Sequence, residues 1–526
     1  MSTVSASLSE NERATLPTET ELKLSLPANQ AKQIWNKTPL STLLDDTPSR
    51  LRLYSAYYDT SHLDLRRRGV ALRLRRQGRR WVQTLKTTGL PAGALQQRIE
   101  LEMPVARGLP DLQLLKQSGL SGFAADVVAM DALKVIFTTD FVRSVAVVEP
   151  VPGTRIEVCV DQGDVVAGTK RETVCEIELE LKQGELSALF HLARQLAAHP
   201  DIRIETVSKA QRGYRLAARD RRAPARASGI ELSPKDSADQ LFTTLAFACI
   251  FHLQANEYGV AHTRDIEYLH QARIALRRLR SVFSVFSIAV PRTHFSEQLA
   301  WLSETGRVLG EARNWDVFMT DFWPKACAGI ADHSAIPYLT RTAARLRADA
   351  RRRARNALSS PDYSIGMLCL TEKLLEQGWC AERSIDQRDI AALPAKSLAA
   401  AILGRAHRKL AKQVRRLNRD HHHDLHQLRI RIKKLRYAIE LLAPLWQHQR
   451  KDKYLSQLAV MQKTLGEIND AATAGRLLDQ LATASRDGIR LEAIAYLRGY
   501  GDAMSSALLS GFDAAWKGFV RTKPFW

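Results

Sequence analysis

Thr18-Glu-Thr-Glu-Leu-Lys-Leu-Ser-Leu26 alternates so that Glu19, Glu21 and Lys23 share one face of a strand while Leu22, Leu24 and Leu26 share the other. Alone, such a strand is an ordinary half-exposed one with its charges in water. Its companions change the reading. Arg73 and Arg75 alternate with Leu72 and Leu74; Arg98, Glu100 and Glu102 with Ile99, Leu101 and Met103; Glu176, Glu178 and Glu180 with Ile177, Leu179 and Leu181. Same-face neighbours on a strand stand about 7 Å apart, so consecutive glutamates repel and titrate upward unless cations neutralise them. Carboxylate oxygens suit Mg²⁺, which keeps waters and takes phosphate oxygens rather than a full protein cage. A closed barrel with a charged interior and an apolar exterior under helices satisfies the pattern, because closure removes edges and leaves a channel. Its expected contents are metal and polyanion.

The whole chain agrees with this charge logic. Its 526 residues exceed one hydrophobic core and point to more than one domain. Lys and Arg number 77 against 56 Asp and Glu, a net of +21, and that surplus calls for a polyanionic partner. It is unevenly placed: residues 1–217 carry 29 basic and 25 acidic side chains, and the remainder carries 48 and 31, a net of +17. The six cysteines form no C-x-x-C pair, so neither a disulfide framework nor a zinc knuckle is encoded, and a reducing cytosol fits. No apolar run approaches the ~20 residues of a membrane span, and no export signal opens the chain. A soluble, cytoplasmic protein without membrane contact is expected.

Residues 1–16 are polar and aperiodic and are expected as a tail; 17–217 show strand periodicity interrupted by a helix over 185–198; 218–236 read as a linker. Residues 237–515 have helical periodicity almost throughout, with 516–526 as a C-terminal tail. Within the helical part lies an internal repeat. His270-Gln-Ala-Arg-Ile-Ala-Leu-Arg-Arg-Leu-Arg280 aligns without a gap on His426-Gln-Leu-Arg-Ile-Arg-Ile-Lys-Lys-Leu-Arg436, and Leu-Gly-Glu follows both copies at 309–311 and 465–467. The same offset pairs Arg307 with Lys463. A duplicated helical unit, hence two bundles related by approximate symmetry, is the expectation.

The first part resembles the CYTH domain, the triphosphate tunnel metalloenzyme fold. The resemblance rests on Glu19-Thr-Glu21-Leu-Lys23, Tyr57-Tyr-Asp-Thr60, Arg73 and Arg75, Lys86 in Thr84-Leu-Lys-Thr87, Arg98 with Glu100 and Glu102, Arg143, Glu157 with Asp161, the 176–180 glutamates, and Ser208-Lys209. It implies an eight-stranded antiparallel barrel clad by helices, an α+β fold, with Mg²⁺ or Mn²⁺ as cofactor. Metal ligands are then sought among Glu19, Glu21, Glu102, Asp161, Glu176, Glu178 and Glu180. Strand spacing leaves all three of the last open, and Glu178 and Glu180 are preferred. Lys23, Arg73, Arg75, Lys86, Arg98, Arg143 and Lys209 would grip phosphate, and Glu19, Glu21, Lys23, Lys86, Glu178 and Glu180 form the catalytic set. Metal and cations would stabilise charge on the transferred phosphoryl group while water attacks it.

In each repeated helix the basic positions fall every three or four residues: His270, Arg273, Arg277 and Arg280, then His426, Arg429, Lys433 and Arg436. They occupy an arc of roughly 80°. A solvated basic face is the plain alternative for either helix alone, but the recurrence of a self-repelling stripe favours a bound polyanion. This part resembles the CHAD domain, a pair of pseudo-symmetric four-helix bundles, all α, that binds inorganic polyphosphate; Arg307 and Lys463 carry over with the stripes. His252 and His407 precede the stripes with an offset of 155 and align less well. The tract His421–His423 reads as a loop or helix start, since adjacent helical histidines point apart.

The two halves together read as a metal-dependent inorganic triphosphatase releasing pyrophosphate and phosphate, joined to a polyphosphate-binding module that places it at polyphosphate granules. Two rivals stand beside it: a non-catalytic polyphosphate-binding protein, and the same fold acting on thiamine triphosphate or another organic triphosphate. Nucleic acid is disfavoured because neither a recognition helix nor an aromatic stacking pattern is visible. No protein partner is indicated.

Overall fold

The computed structural model describes the chain except residues 1–17, 88–89, 107, 112, 114–131, 219–221, 331–332, 418–421, 447–449 and 485–487, so the expected N-terminal tail lies outside the described residues. Two compact units result. The first comprises Met1–Ala223 with Ser359–Glu376, and the second Pro224–Leu358 with Gln377–Trp526.

Strands of the first unit are β1 (Thr18–Ser25), β2 (Ser49–Asp59), β3 (Val70–Gln77), β4 (Arg80–Thr87), β5 (Leu90–Ala92), β6 (Leu95–Val105), β7 (Lys134–Val151), β8 (Thr154–Ala167), β9 (Lys170–Gln183) and β10 (Arg203–Ile204). Hydrogen bonding runs β1-β9-β8-β7-β2-β3-β4-β6 and returns to β1 through the β1–β6 pairing, giving a closed eight-stranded antiparallel barrel. β5 adds to β6 and β10 to β1. Tight hairpins link the long strands: Gly78 (φ 61°) and Gly168 (φ 58°) open two-residue turns, where a left-handed backbone suits glycine.

The alternation places leucines outward. Leu22, Leu24, Leu72, Leu74, Ile177 and Leu179 are buried. Helix α1 (Leu186–Ala197) contacts β1, β7 and β9, and α2 (Lys209–Ala218) contacts β7, β8 and β9. Leu189, Phe190, Leu192 and Leu196 of α1 have no exposure, and each such side chain contributes about 1.5–3 kcal/mol of burial. The Tyr57-Tyr-Asp-Thr60 motif ends in a lock. The Asp59 carboxylate accepts from the backbone N–H groups of Thr60 (2.8 Å), Leu65 (2.9 Å) and Arg66 (3.0 Å), fixing the turn after β2.

Helices of the second unit are α3 (Ala238–His262), α4 (Ile266–Val285), α5 (Ser296–Val317), α6 (Ile336–Leu358), α8 (Ala395–Val414), α9 (His422–Leu442), α10 (Arg450–Thr483) and α11 (Gly488–Val520); α7 (Pro361–Glu376) belongs to the first unit. Ser237 starts α3 with a reciprocal capping box to Gln240. Helices α3 to α6 pack successively as one four-helix set and α8 to α11 as another, and the repeated helices α4 and α9 contact each other. Residues 516–526, read as a tail from sequence, continue α11 to Val520 and then pack Phe525 and Trp526 against Tyr454. His422 begins α9, as the histidine tract suggested. No described helix is long and apolar enough to cross a membrane. All six cysteines are unpaired.

Candidate functional site

Barrel register decides which charges meet. Across β8 and β9, Asp161 stands opposite Glu176, and across β7 and β8 Arg143 stands opposite Asp161. Across β1 and β9, Lys23 stands opposite Glu178 and Glu21 opposite Glu180. Across β4 and β6, Lys86 faces Glu100 and Thr84 faces Glu102; across β1 and β6, Glu19 faces Arg98. Apart from Glu180, the charged residues of these pairs are linked by a continuous chain of ion pairs inside the barrel.

On one side Asp161, Glu176 and Glu178 converge, with one carboxylate oxygen from each lying within 4.8 Å of the others. Three cations surround them. Arg143 donates to both Asp161 oxygens at 2.7 Å and to Glu178 at 2.5 Å. Lys209, at the start of α2, reaches Asp161 (2.7 Å), Glu178 (2.9 Å) and Glu176. Lys23 reaches Glu178 at 2.9 Å and Glu21 at 3.4 Å. Burial pushes the Glu178 and Asp161 carboxyls upward, but their cations prevail and hold both below the usual range. For Glu176 burial wins and its carboxyl is raised.

Across the barrel a second set forms. Glu19 pairs with Lys86 and Arg98, both at 3.0 Å, and Glu21 with Arg98. Arg73 donates to Thr84 (3.0 Å), Glu102 (3.1 Å) and Glu100 (3.3 Å), while Lys86 reaches Glu100 at 2.7 Å. Arg75 is different. Its described polar partner is Ser55 at 3.4 Å, and burial together with the positive fields of Arg73 and Arg143 pulls its guanidinium down to about 10. Glu102 and Tyr57 act on it from a distance, but no carboxylate among the described residues pairs with it directly.

The structure therefore brings Glu19, Glu21, Lys23, Arg73, Arg75, Lys86, Arg98, Arg143, Asp161, Glu176, Glu178 and Lys209 into one barrel interior. Glu180 lies outside the acidic trio, paired with Lys182 at 2.7 Å, and Glu102 is nearly half exposed at its Arg73 contact. Glu100 was quoted in the motif without a role, yet it bridges Lys86 and Arg73. Thr84 enters the sequence reading only as the start of the Lys86 motif and Ser55 not at all; their inward parity on β4 and β2 is the available signal.

Divalent metal fits the trio by donor chemistry and by one further observation. Glu176 Oε2 is fully buried and has no hydrogen-bond partner among the described residues, an orphan that a cation would satisfy.

In the second unit the two stripes meet. Arg273 of α4 lies in the fields of Arg277, Arg313 and Arg429, and burial plus these charges pulls it down to about 9. Lys433 of α9, buried beside Arg429, Arg277 and Arg273 with Asp470 as its acid, falls to about 6. Burial and Arg313 bring His270 to about 4. Arg273 also donates to the Gly310 carbonyl at 3.2 Å, in the Leu-Gly-Glu motif. A Cβ at Gly310 would meet that guanidinium at 3.6 Å, an ordinary van der Waals distance. The remaining stripe residues sit at the rim. Arg280 touches Ser303 (3.4 Å), Arg436 pairs with Glu440 (2.7 Å), His426 bonds Asn469 (2.9 Å), and Lys463 is exposed. Arg307 is exposed and pairs with Glu304 one turn back at 2.6 Å. His252 and His407 are held by Gln271 (3.1 Å) and Tyr454 (2.7 Å), as packing histidines.

The first unit is a closed antiparallel barrel filled with opposed carboxylates and cations, and in the second unit the repeated helices bring two basic stripes together. Residues 17–214 match the CYTH domain and 244–479 the CHAD domain: the chain is a CYTH domain followed by a CHAD domain. It is 33% identical over 199 residues to an inorganic triphosphatase of Haemophilus influenzae, a match covering 38% of this chain and 54% of that one, so the chain spans about half the length of this curated relative. The crystal structure of the CHAD domain from the plant Ricinus communis is 30% identical, with a TM-score of 0.50, covering 57% of this chain and 98% of that domain. A putative adenylyl cyclase from Hippeastrum, reported with a dominant triphosphatase activity, aligns at 23% identity over 31% of this chain and 80% of its own, with a TM-score of 0.23. That last likeness is too loose to carry an argument.

Proposed function

We propose that the barrel hydrolyses inorganic triphosphate to pyrophosphate and phosphate with Mg²⁺ or Mn²⁺, and that the helical module binds inorganic polyphosphate. The observation that carries the first part is the trio Asp161, Glu176 and Glu178 with its orphaned Glu176 oxygen, ion-paired with Lys23, Arg143 and Lys209 inside the barrel. The 33% identical triphosphatase supports the choice of substrate. A divalent ion held by the trio would neutralise phosphate charge and lower the pKa of a bound water.

The protein's own groups do the rest. Arg75 takes a phosphate oxygen first, because among the described residues it has no ion pair to surrender, and Arg73 follows by exchanging a carboxylate contact. Lys23, Arg143 and Lys209 exchange some carboxylate contacts for substrate oxygens and fix the chain in line for displacement. Water adds to the terminal phosphorus, the bridging P–O bond breaks, and pyrophosphate leaves with the bond electrons. The carboxylates alternate with the cations so that the empty tunnel is not a naked positive channel.

The expected result is phosphate release from triphosphate that requires Mg²⁺ or Mn²⁺ and is abolished by chelation. Glu176→Gln and Glu178→Gln should each lower it by about a hundredfold or more. Comparing triphosphate, ATP, thiamine triphosphate and long polyphosphate selects the substrate. Release by neither metal on any of them would leave the tunnel a binding site. For the second part, replacing Arg273 and Arg429 with Ala should weaken polyphosphate binding, and unchanged affinity rejects that surface. A cytoplasmic location at polyphosphate granules belongs to the same proposal.

A further inference from the structure

Helix α7 (Pro361–Glu376) lies in the middle of the helical sequence but packs in the barrel unit. It contacts α1 and β10. Its inner face is apolar and fully covered: Met367, Leu368, Leu370 and Leu374 have no exposure. The contact explains why α1 is buried on more than one side, leaving exposed only the stripe of Ser187, His191 and Gln195: one face of α1 lies on β1, β7 and β9 and α7 covers another. Two specific contacts tie the helix down. Glu372 pairs with Arg194 of α1, both mostly buried. Thr371, also without exposure, fills the space beside Gly93, where a Cβ would stand 2.5 Å from the Thr371 hydroxyl.

The location of these contacts matters more than their number. Gly93 (φ 64°) is in the turn from β5 into β6, and β6 carries Arg98, Glu100 and Glu102 and closes the barrel against β1. Helix α1 follows directly on β9, which carries Glu176 and Glu178. β10, the third element touched, pairs with the end of β1 through Leu24 and Ile204. In the barrel β1 stands between β9 and β6. One helix thus braces the attachments of three adjacent strands that supply both the acidic trio and the Glu19–Arg98 set.

We propose that α7 is a strap on the barrel seam, and that Thr371 and Glu372 are positioning residues for the tunnel side chains of β6, β1 and β9. They touch no tunnel group. Their effect passes through Gly93 to β6 and through Arg194 and α1 to β9. The kinetic consequence rests on the triphosphatase reading; the mechanical one does not.

The test uses the full-length protein with Glu372→Arg, Arg194→Glu and the double exchange. Each single change sets like charges against each other in a mostly buried contact, and the double exchange restores an opposite pair in the same place. Amide exchange of residues 18–25 and 95–105 should quicken by about tenfold in each single variant and return in the double. Phosphate release should fall and recover in step, without a change in metal requirement. A milder probe is Thr371→Val, which keeps the volume and removes the hydroxyl, and should leave exchange near the wild-type rate. Unchanged exchange in β1 and β6 for both single variants would overturn the strap, as would a loss that the double exchange fails to relieve. If exchange responds as expected while no variant or wild type releases phosphate, the strap stands and the triphosphatase reading falls.

Discussion

Lys433 holds the clearest pH signature in the molecule. An unfolded lysine titrates near ~10.4, whereas burial and the Arg429 and Arg277 charges bring the folded group to about 6. Its contribution to stability is therefore fully present above the unfolded value and is lost as pH falls toward the folded one, because the unfolded chain binds the extra proton. A polyanion seated between α4 and α9 reverses the sign of the local field and raises the group again. Binding in the window between those two values should consequently take up a proton. Calorimetry in two buffers of different ionisation enthalpy reads that uptake directly, and well below the value of about 9 to which Arg273 is pulled, Lys433→Met should remove it while leaving the fold intact. His270, brought to about 4, stays neutral in the empty protein over the same window and adds no comparable term.

At the level of elements, small residues set how closely helices approach the barrel and each other. Gly213 of α2 lies against Phe137 of β7, and a Cβ there would stand 2.1 Å from the ring. The ring has no room to yield, since it stacks on Tyr57 at 4.4 Å and meets Tyr214 edge-on at 5.2 Å. Gly to Ala inside a helix gains about 1 kcal/mol in propensity, but overpacking costs about 1–3 kcal/mol, so Gly213→Ala should destabilise. A lower urea midpoint at unchanged slope checks this. The same helix carries Lys209 into the acidic trio, so the variant should also weaken phosphate release more than a distant surface change does.

At the scale of the molecule, the uneven charge has a measurable consequence. The polyphosphate binding proposed for the half that carries a net +17 should weaken linearly, on logarithmic scales, with salt. Removing Arg273 and Arg429 together should reduce that slope by roughly one per cation, as read from affinities at several salt concentrations. Mg²⁺ with triphosphate should instead raise the melting temperature through the barrel, an effect that Glu178→Gln should abolish.

Much of this was legible in order along the chain. Strand alternation put Glu19, Glu21, Lys23 and the 176–180 glutamates on one face, because a period of two needs no knowledge of neighbours. The repeat at 270–280 and 426–436 announced two matched helical sets for a similar reason: helical spacing is local. What spacing could not rank was Glu176 against Glu180, since both share a face. Register ranked them, by setting Asp161 across from Glu176 and Glu157 across from Glu180. Nor could the sequence show that residues 361–376 leave the helical set to brace the barrel, because the apolar periodicity of a helix states that a face is buried and not against what. The sequence by itself determined which side chains face inward and that their charges demand a partner of opposite sign. Only the tertiary structure decided which carboxylates converge, because distance across a closed barrel depends on strand register and closure rather than on position in the chain.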